Sequence, residues 1–326
     1  MRSVSIAGTD ITTSRLGLGT GSLHHLVRRS SRQNLLAAAW EEGFRYFDTA
    51  PLYGHELAER ELGRFLRGRR RSAVLATKVG IVPNPVMCRL PWLMYAEKAI
   101  KIVARKASRR QSTSALPPRN YSPKYAVERV ERSLHVLGTD YIDILYLHEP
   151  TLDALGNAED VLAALGKLRD SGKIREFGLS GSFDSCRSIG VKYPALIRVV
   201  QLEVHPTMRS ARLLDSLGHT AQITFGHVRN LRQSKLEGSI DGPELIRQAL
   251  VHACSVNPTG VILLSTRSPV HARAVTATFE SIEGNASPAA PPPKESPRHH
   301  SPGLLTPAFL GKSAPVSEHG RAGPWP

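Results

Sequence analysis

Four side chains, Asp48, Tyr53, Lys78 and His148, are of the types that can move a proton onto an oxygen. A phenol with a pKa near ~10 is a poor acid at neutral pH. A neighbouring ammonium stabilises the phenolate and makes the proton easier to lose. A carboxylate can hold that ammonium in place, and an imidazole beside the phenol can orient a carbonyl oxygen or share the proton. Such a set protonates an oxygen while hydride reaches the adjacent carbon. No side chain donates hydride, so the chemistry requires a nicotinamide cofactor, NADP or NAD. Taken singly, each residue has a plainer explanation. An Asp at a strand end caps a helix or joins an ion pair, a Lys after a strand is solvated, a Tyr-Gly pair makes a turn, and a His after an apolar run is a satisfied buried ring. Their joint placement sets the four apart.

That placement follows from the elements. Eight short β-rich runs recur along the chain: Leu16–Thr20, Tyr46–Ala50, Val74–Lys78, Ile142–His148, Glu176–Ser180, Val199–Glu203, Ile223–Gly226 and Val261–Ser265. Several are almost continuously apolar, as strands buried on both faces are. Helical spacing marks 31–42, 56–66, 123–137, 158–171, 243–253 and 269–279, with Gly43, Gly138 and Gly172 as stops. Val4–Ile11, with Gly8-Thr9-Asp10 at its turn, forms a leading hairpin. Eight strands alternating with helices predict an α/β fold, a (β/α)8 TIM barrel, with a doubly wound open sheet as the alternative. In a barrel the C-terminal strand ends meet at one mouth. Asp48 lies near the end of the second run, Tyr53 on the loop after it, Lys78 at the end of the third and His148 at the end of the fourth.

Two segments interrupt the rhythm. Residues 81–122 form an insertion after the third strand, and residues 284–326 form a tail with ten prolines, expected to be disordered. Barrel and tail thus divide at residue 283. The chain carries 43 Lys and Arg against 28 Asp and Glu, a net charge of +15. Most of that excess is local, because residues 64–110 hold thirteen basic residues and one acid, Glu97. The stretch 92–110 is basic and amphipathic. It packs on the barrel rim or lies against an anionic membrane, and no nucleic-acid partner is expected. Met1–Asp10 lacks an apolar signal core, no apolar run reaches ~20 residues, and Cys88, Cys186 and Cys254 lie far apart. A cytoplasmic protein without a disulfide framework or a metal site is expected.

The run Phe44-Arg45-Tyr46-Phe47-Asp48-Thr49-Ala50-Pro51-Leu52-Tyr53-Gly54 resembles the signature of the aldo-keto reductase family. So do Ala76-Thr77-Lys78, the run from Leu137 to Asp143, and Leu147-His148; weaker matches continue through 172–180 and 200–206. The resemblance covers roughly residues 4–280 and is closest in style to bacterial sugar- or aldose-dehydrogenase-like members. It implies a barrel that binds NADP or NAD and acts on a small carbonyl or sugar substrate. It implies Tyr53 as general acid/base, Lys78 and Asp48 as its tuning pair, and His148 as the residue orienting the carbonyl. It further implies Ser180 and Gln201 as contacts to the nicotinamide carboxamide, Phe225 as a stacking ring, and Gly19, Thr20 and Gly21 as a close approach to the cofactor. Gly181 stands where the family often has Asn. The phosphate-binding register falls on Ser265-Thr266, then His271 and Val275, with Arg267 and Arg273 near but out of register, which leaves NADP and NAD both open.

Gly17-Leu18-Gly19-Thr20-Gly21 does not make a dinucleotide fingerprint of the open-sheet kind. Its glycine spacing is wrong, and Asp48 lies too far along the chain to serve as the ribose acid. A different class of function, a catalytically weak barrel acting as an interaction or regulatory protein through its basic insertion, is opposed by the complete set Asp48, Tyr53, Lys78 and His148.

Overall fold

The eight apolar runs pair as parallel neighbours and close on themselves. In chain order the strands are β1 (Ser3–Ser5), β2 (Thr12–Ser14), β3 (Leu16–Gly19), β4 (Tyr46–Asp48), β5 (Val74–Val79), β6 (Ile142–His148), β7 (Ile174–Gly181), β8 (Val199–Glu203), β9 (Arg212–Leu214), β10 (His219–Thr220), β11 (Ile223–Phe225) and β12 (Val261–Leu264). The helices are α1 (Arg29–Glu41), α2 (Leu57–Leu66), α3 (Pro85–Arg89), α4 (Pro123–Leu137), α5 (Leu152–Leu155), α6 (Ala158–Asp170), α7 (Phe183–Lys192), α8 (His227–Ser234), α9 (Gly242–Val256) and α10 (Pro269–Asn285). This computed structural model describes residues 1–97, 117–214, 219–220, 222–234 and 242–285. The closed barrel runs β3, β4, β5, β6, β7, β8, β11, β12 and back to β3. The open-sheet alternative is therefore excluded.

Local chemistry explains the elements. In α4, Ser122 accepts a hydrogen bond from the Tyr125 amide and Pro123 opens the first turn. Ala126, Val130, Leu134 and Leu137 make its buried stripe, and Gly138, at φ 64°, ends it in the left-handed conformation that glycine adopts without penalty. α7 carries a weaker signal, since only Cys186, Ile189 and Gly190 are buried and Val191 is exposed, so its helical spacing is faint in the sequence. The crossover from β8 to β11 differs from its neighbours. Among the described residues it carries the antiparallel pair β9 and β10 rather than a helix.

Alternation along the barrel strands sends one set of side chains inward and the other toward the helices. Tyr46, Val74, Ala76, Ile144, Tyr146, Val199, Ile223, Val261 and Leu263 form the inner cluster, which Val4, Ile6 and Ile11 of the leading hairpin join. The hairpin thereby plugs the N-terminal end and leaves the C-terminal end as the mouth. Within the inner cluster the Tyr46 and Tyr146 hydroxyls share a hydrogen bond of 3.0 Å. α10 continues to Asn285, two residues past the expected barrel boundary at 283; residues 286–326 of the tail and 98–116 of the insertion lie outside the described residues. Among the described residues, no helix is long and apolar enough to cross a membrane.

Candidate active site

Register decides which side chains meet at the mouth. Gly19 pairs with Asp48, Asp48 with Ala76, Lys78 with Tyr146, His148 with Ser180, and Ser180 with Gln201. Asp48, Lys78, His148, Ser180 and Gln201 are all buried and sit at or near the C-terminal ends of five consecutive barrel strands. Lys78 Nζ donates to both Asp48 oxygens, at 2.6 and 2.5 Å, and to the Thr49 carbonyl at 3.0 Å. Gln201 Nε2 donates to Asp48 Oδ1 at 2.8 Å, and Ser180 Oγ donates to Gln201 Oε1 at 2.5 Å. Thr20 Oγ1 donates to the Asp48 carbonyl at 2.9 Å. The Asp48 carboxylate therefore joins β4 to β5 and β8 directly and to β7 through Gln201, while the Asp48 carbonyl holds the residue that follows β3. Breaking such a buried pair from one side costs about 3–5 kcal/mol, because the other charge is left without compensation.

Tyr53 reaches this cluster from a strained turn. Its ring centroid is 4.9 Å from Lys78 Nζ, and it meets the His148 ring edge-on at 5.8 Å. After Tyr53 come three residues with positive φ: Gly54 at 62°, His55 at 53° and Glu56 at 69°. The two non-glycine residues there each cost about 1–2 kcal/mol. The turn is clamped in return. The Glu56 carboxylate accepts from Arg129 at 2.7 Å and from Arg132 at 2.9 Å, both on α4. Burial would lift the Glu56 carboxyl, but these two guanidiniums hold it below the usual range. Beneath the turn, Thr77 Oγ1 donates to buried Glu59 at 2.8 Å, so α2 is locked to the strand that carries Lys78.

The charges at the mouth oppose burial to different degrees. Burial pulls the Lys78 ammonium down, but Asp48 and then Tyr53 outweigh it, and its pKa lies above the ordinary value. For Tyr53, burial raises the phenol and Lys78 opposes without overcoming it, so the net direction is upward. Lys78 lowers the phenol relative to an unaided buried tyrosine, not relative to one in water. His148 is pushed well below its ordinary value, first by burial and then by Lys78 and Arg119, which keeps the ring neutral.

The opposite flank is more open. Phe225 is half-buried at the end of β11, opposite Glu203 of β8, and Gly226 follows at φ 88°. Gly21 faces the Tyr53 ring, and a Cβ there would lie 3.6 Å from it. Gly19 faces Ser265, where a Cβ would fall 2.6 Å from Ser265 Oγ, too close to be tolerated unchanged. Ser265, Arg267 and His271 are exposed, and Thr266 is half-buried, its hydroxyl accepting from the Ser268 amide at 3.2 Å. Arg273 is turned toward Glu41 and Glu42, at 4.0 and 3.9 Å. Buried hydroxyl and amide groups at Ser180 and Gln201, bare backbone at Gly19 and Gly21, and exposed donors at 265–271 fit a long, polar, anionic cofactor with an amide at its inner end. Among the described residues, no group of three or more His, Cys, Asp or Glu side chains could hold a metal ion.

Two further residues at the mouth escaped the sequence reading. Arg119 and Tyr121 lie on the segment that returns from the insertion, and Tyr121 donates to the His148 carbonyl at 2.6 Å. No local pattern marks them, since their partners are distant in sequence. At the start of the insertion, Tyr95 donates to the His24 carbonyl at 3.1 Å and accepts from Arg32 at 3.3 Å, so this part packs on the rim.

Comparison with known proteins follows the same architecture. A model of the aldo/keto reductase family matches residues 15–225. Among curated proteins, the chain is 30% identical over 205 residues to pyridoxal 4-dehydrogenase of Microbacterium luteolum, covering 54% of each chain. It is 31% identical over 178 residues to D-threo-aldose 1-dehydrogenase of a Pseudomonas species, covering 53% of this chain and 51% of that one. The chain thus spans about half the length of these curated relatives. Among solved structures, an aldo/keto reductase from Klebsiella pneumoniae in complex with NADP and acetate superposes with a TM-score of 0.60 at 19% identity, covering 85% of this chain and 89% of that one.

Proposed function

The chain belongs to the aldo/keto reductase family, and from that premise we propose that it is an oxidoreductase interconverting a small aldehyde, ketone or sugar hemiacetal with the corresponding alcohol or lactone. The observation that carries this reading is the Tyr53 ring beside the Lys78 ammonium, itself held by Asp48, with His148 edge-on to the phenol. NADP and NAD are both candidates, since a neighbour in structure binds NADP and one curated relative, of Escherichia coli, is named an NADH-specific methylglyoxal reductase.

In the reduction direction Tyr53 gives its proton to the substrate oxygen, and Lys78 stabilises the phenolate left behind. Asp48 keeps the ammonium charged and aimed. His148, neutral, directs the oxygen toward Tyr53 by hydrogen bonding. A bound nicotinamide supplies the hydride that reaches the carbon. Ser180 and Gln201 would hold its carboxamide, with Phe225 against the ring and Gly19, Thr20 and Gly21 close by. Ser265, Thr266, Arg267 and His271 would meet its far end, where a 2′-phosphate needs cationic partners. The relatives' names support sugars and small aldehydes as the substrate class.

Fluorescence titration with NADPH and with NADH tests the proposal. Quenching or energy transfer with either is expected, followed by hydride transfer to a panel of aldehydes and sugars. Binding of neither overturns it.

A further inference from the structure

The segment 117–122 returns from the insertion and pairs with the chain just beyond Lys78. Ile81 and Arg119 form an antiparallel bridge, the Asn120 amide donates to the Gly80 carbonyl at 2.7 Å, and the Val82 amide donates to the Pro118 carbonyl at 2.9 Å. Gly80, at φ 122°, permits this contact, because a Cβ would lie 2.0 Å from the Tyr121 ring. From that platform two side chains reach the end of β6. Tyr121 donates to the His148 carbonyl, and Arg119 donates to the Glu149 carbonyl at 2.5 Å and to the Glu149 carboxylate at 3.3 Å. Glu149 is held at φ 48°, a left-handed conformation that a non-glycine residue adopts only when its surroundings impose it. Its amide donates to the Ser180 carbonyl at 2.7 Å.

We propose that Arg119 and Tyr121 are positioning residues that clasp the His148–Glu149 turn and keep the His148 ring edge-on to Tyr53. The role rests on the function assigned to His148 above. A surface ion pair alone would do little, since the Arg119 and Glu149 side chains are 32% and 57% exposed. The firmer bond goes to a backbone carbonyl, and the Tyr121 bond is buried. The clasp also joins two catalytic strands, because the same segment pairs three residues beyond Lys78 and grips the residues at the end of β6. The Tyr53 ring meets the His148 ring edge-on, Lys78 from β5 and Arg119 from the clasp act on it as cations, and Tyr121 holds its backbone carbonyl. Of these, Lys78 and Arg119 are the cations that disfavour a protonated ring.

The test uses the full chain with Arg119→Gln, Arg119→Lys and Tyr121→Phe, measuring kcat, KM, cofactor Kd, and the NMR titration of His148 assigned through His148→Gln. R119Q is expected to lower kcat about tenfold with Kd within about twofold, because a small misplacement of the ring is costly. The His148 ring, held neutral below its ordinary titration range in the unmodified chain, should begin to titrate at higher pH in R119Q than in the unmodified chain. R119K should restore the low titration and part of kcat. Y121F should lower kcat without moving the titration. Unchanged kcat and titration in R119Q overturn the clasp, as does a parallel loss of kcat and cofactor affinity. If the unmodified chain transfers no hydride from either nicotinamide, the assigned reaction fails, while the R119Q titration still decides whether Arg119 governs His148.

Discussion

The two flanks of the barrel mouth are built on opposite terms. On the β4–β6 flank, Asp48, Lys78 and His148 are buried and interlocked, and the strained turn carrying Tyr53 is clamped by Arg129 and Arg132 through Glu56. On the β11–β12 flank, Ser265, Arg267 and His271 are exposed, and among the described residues Arg267 and His271 make no ion pair. The first flank is held in place by its own buried bonds, as the proposed proton transfer in a low-dielectric site requires. The second leaves its donors in water, where a charged cofactor can exchange hydration for hydrogen bonds on binding. Under the proposed function, the proton chemistry rests on the buried groups and the choice between NADP and NAD on the exposed ones.

The sharpest way to break this contrast is Lys78→Met. Leaving Asp48 buried without its cation should cost about 3–5 kcal/mol in chemical denaturation and slow hydride transfer about 10²-fold or more. An unchanged denaturation midpoint would mean that the first flank is not held by this pair. Tyr53→Phe comes next. It should cut the single-turnover rate about 10²-fold or more while cofactor binding persists, because the ring stays and only the hydroxyl that gives and takes the proton is lost. Equal rates would favour a barrel that binds without catalysing.

A smaller effect probes a buried group on the second flank. His227 is buried, and burial, with His252 adding to it, pushes its pKa down to about 3. Unfolded, it takes up a proton near ~6.5. Between those values the unfolded state binds more protons, so stability falls as pH drops below about 6.5, by up to about 1.4 kcal/mol per unit. Denaturation at a series of pH values should show that slope, with buried His148 adding to it in the same direction, and His227→Gln should reduce it by the His227 share; an undiminished slope would assign the effect to other groups. Smallest of all, Arg267→Gln should weaken NADPH about fivefold, as an exposed charge pair does, and leave NADH and the melting temperature unchanged. Equal weakening of both cofactors would remove Arg267 from 2′-phosphate recognition.

Much of this was legible without coordinates. All eight barrel strands coincide with the apolar runs to within about two residues, because strands buried on both faces need continuous hydrophobicity. α4 is read from Pro123 to its stop at Gly138, since helical period and a C-terminal glycine are local chemistry, and the structure adds Ser122 as its cap. Asp48, Lys78 and His148 are legible from their positions at or near strand ends, and Tyr53 from the loop after the second strand. α7 was missed because its buried stripe is short, and the hairpin in the β8–β11 crossover left no periodic trace.

The sequence by itself determined the order of strands and helices and the four chemically able side chains at the mouth, because hydrophobic period, caps and turn residues act between neighbours. Only the tertiary structure decided that Gln201 bonds Asp48, that Arg129 and Arg132 restrain the Tyr53 turn, and that Arg119 and Tyr121 grip the residues at His148. Those contacts join residues about 30 to 150 positions apart, and their existence depends on strand register and on closure of the barrel, which no local pattern encodes.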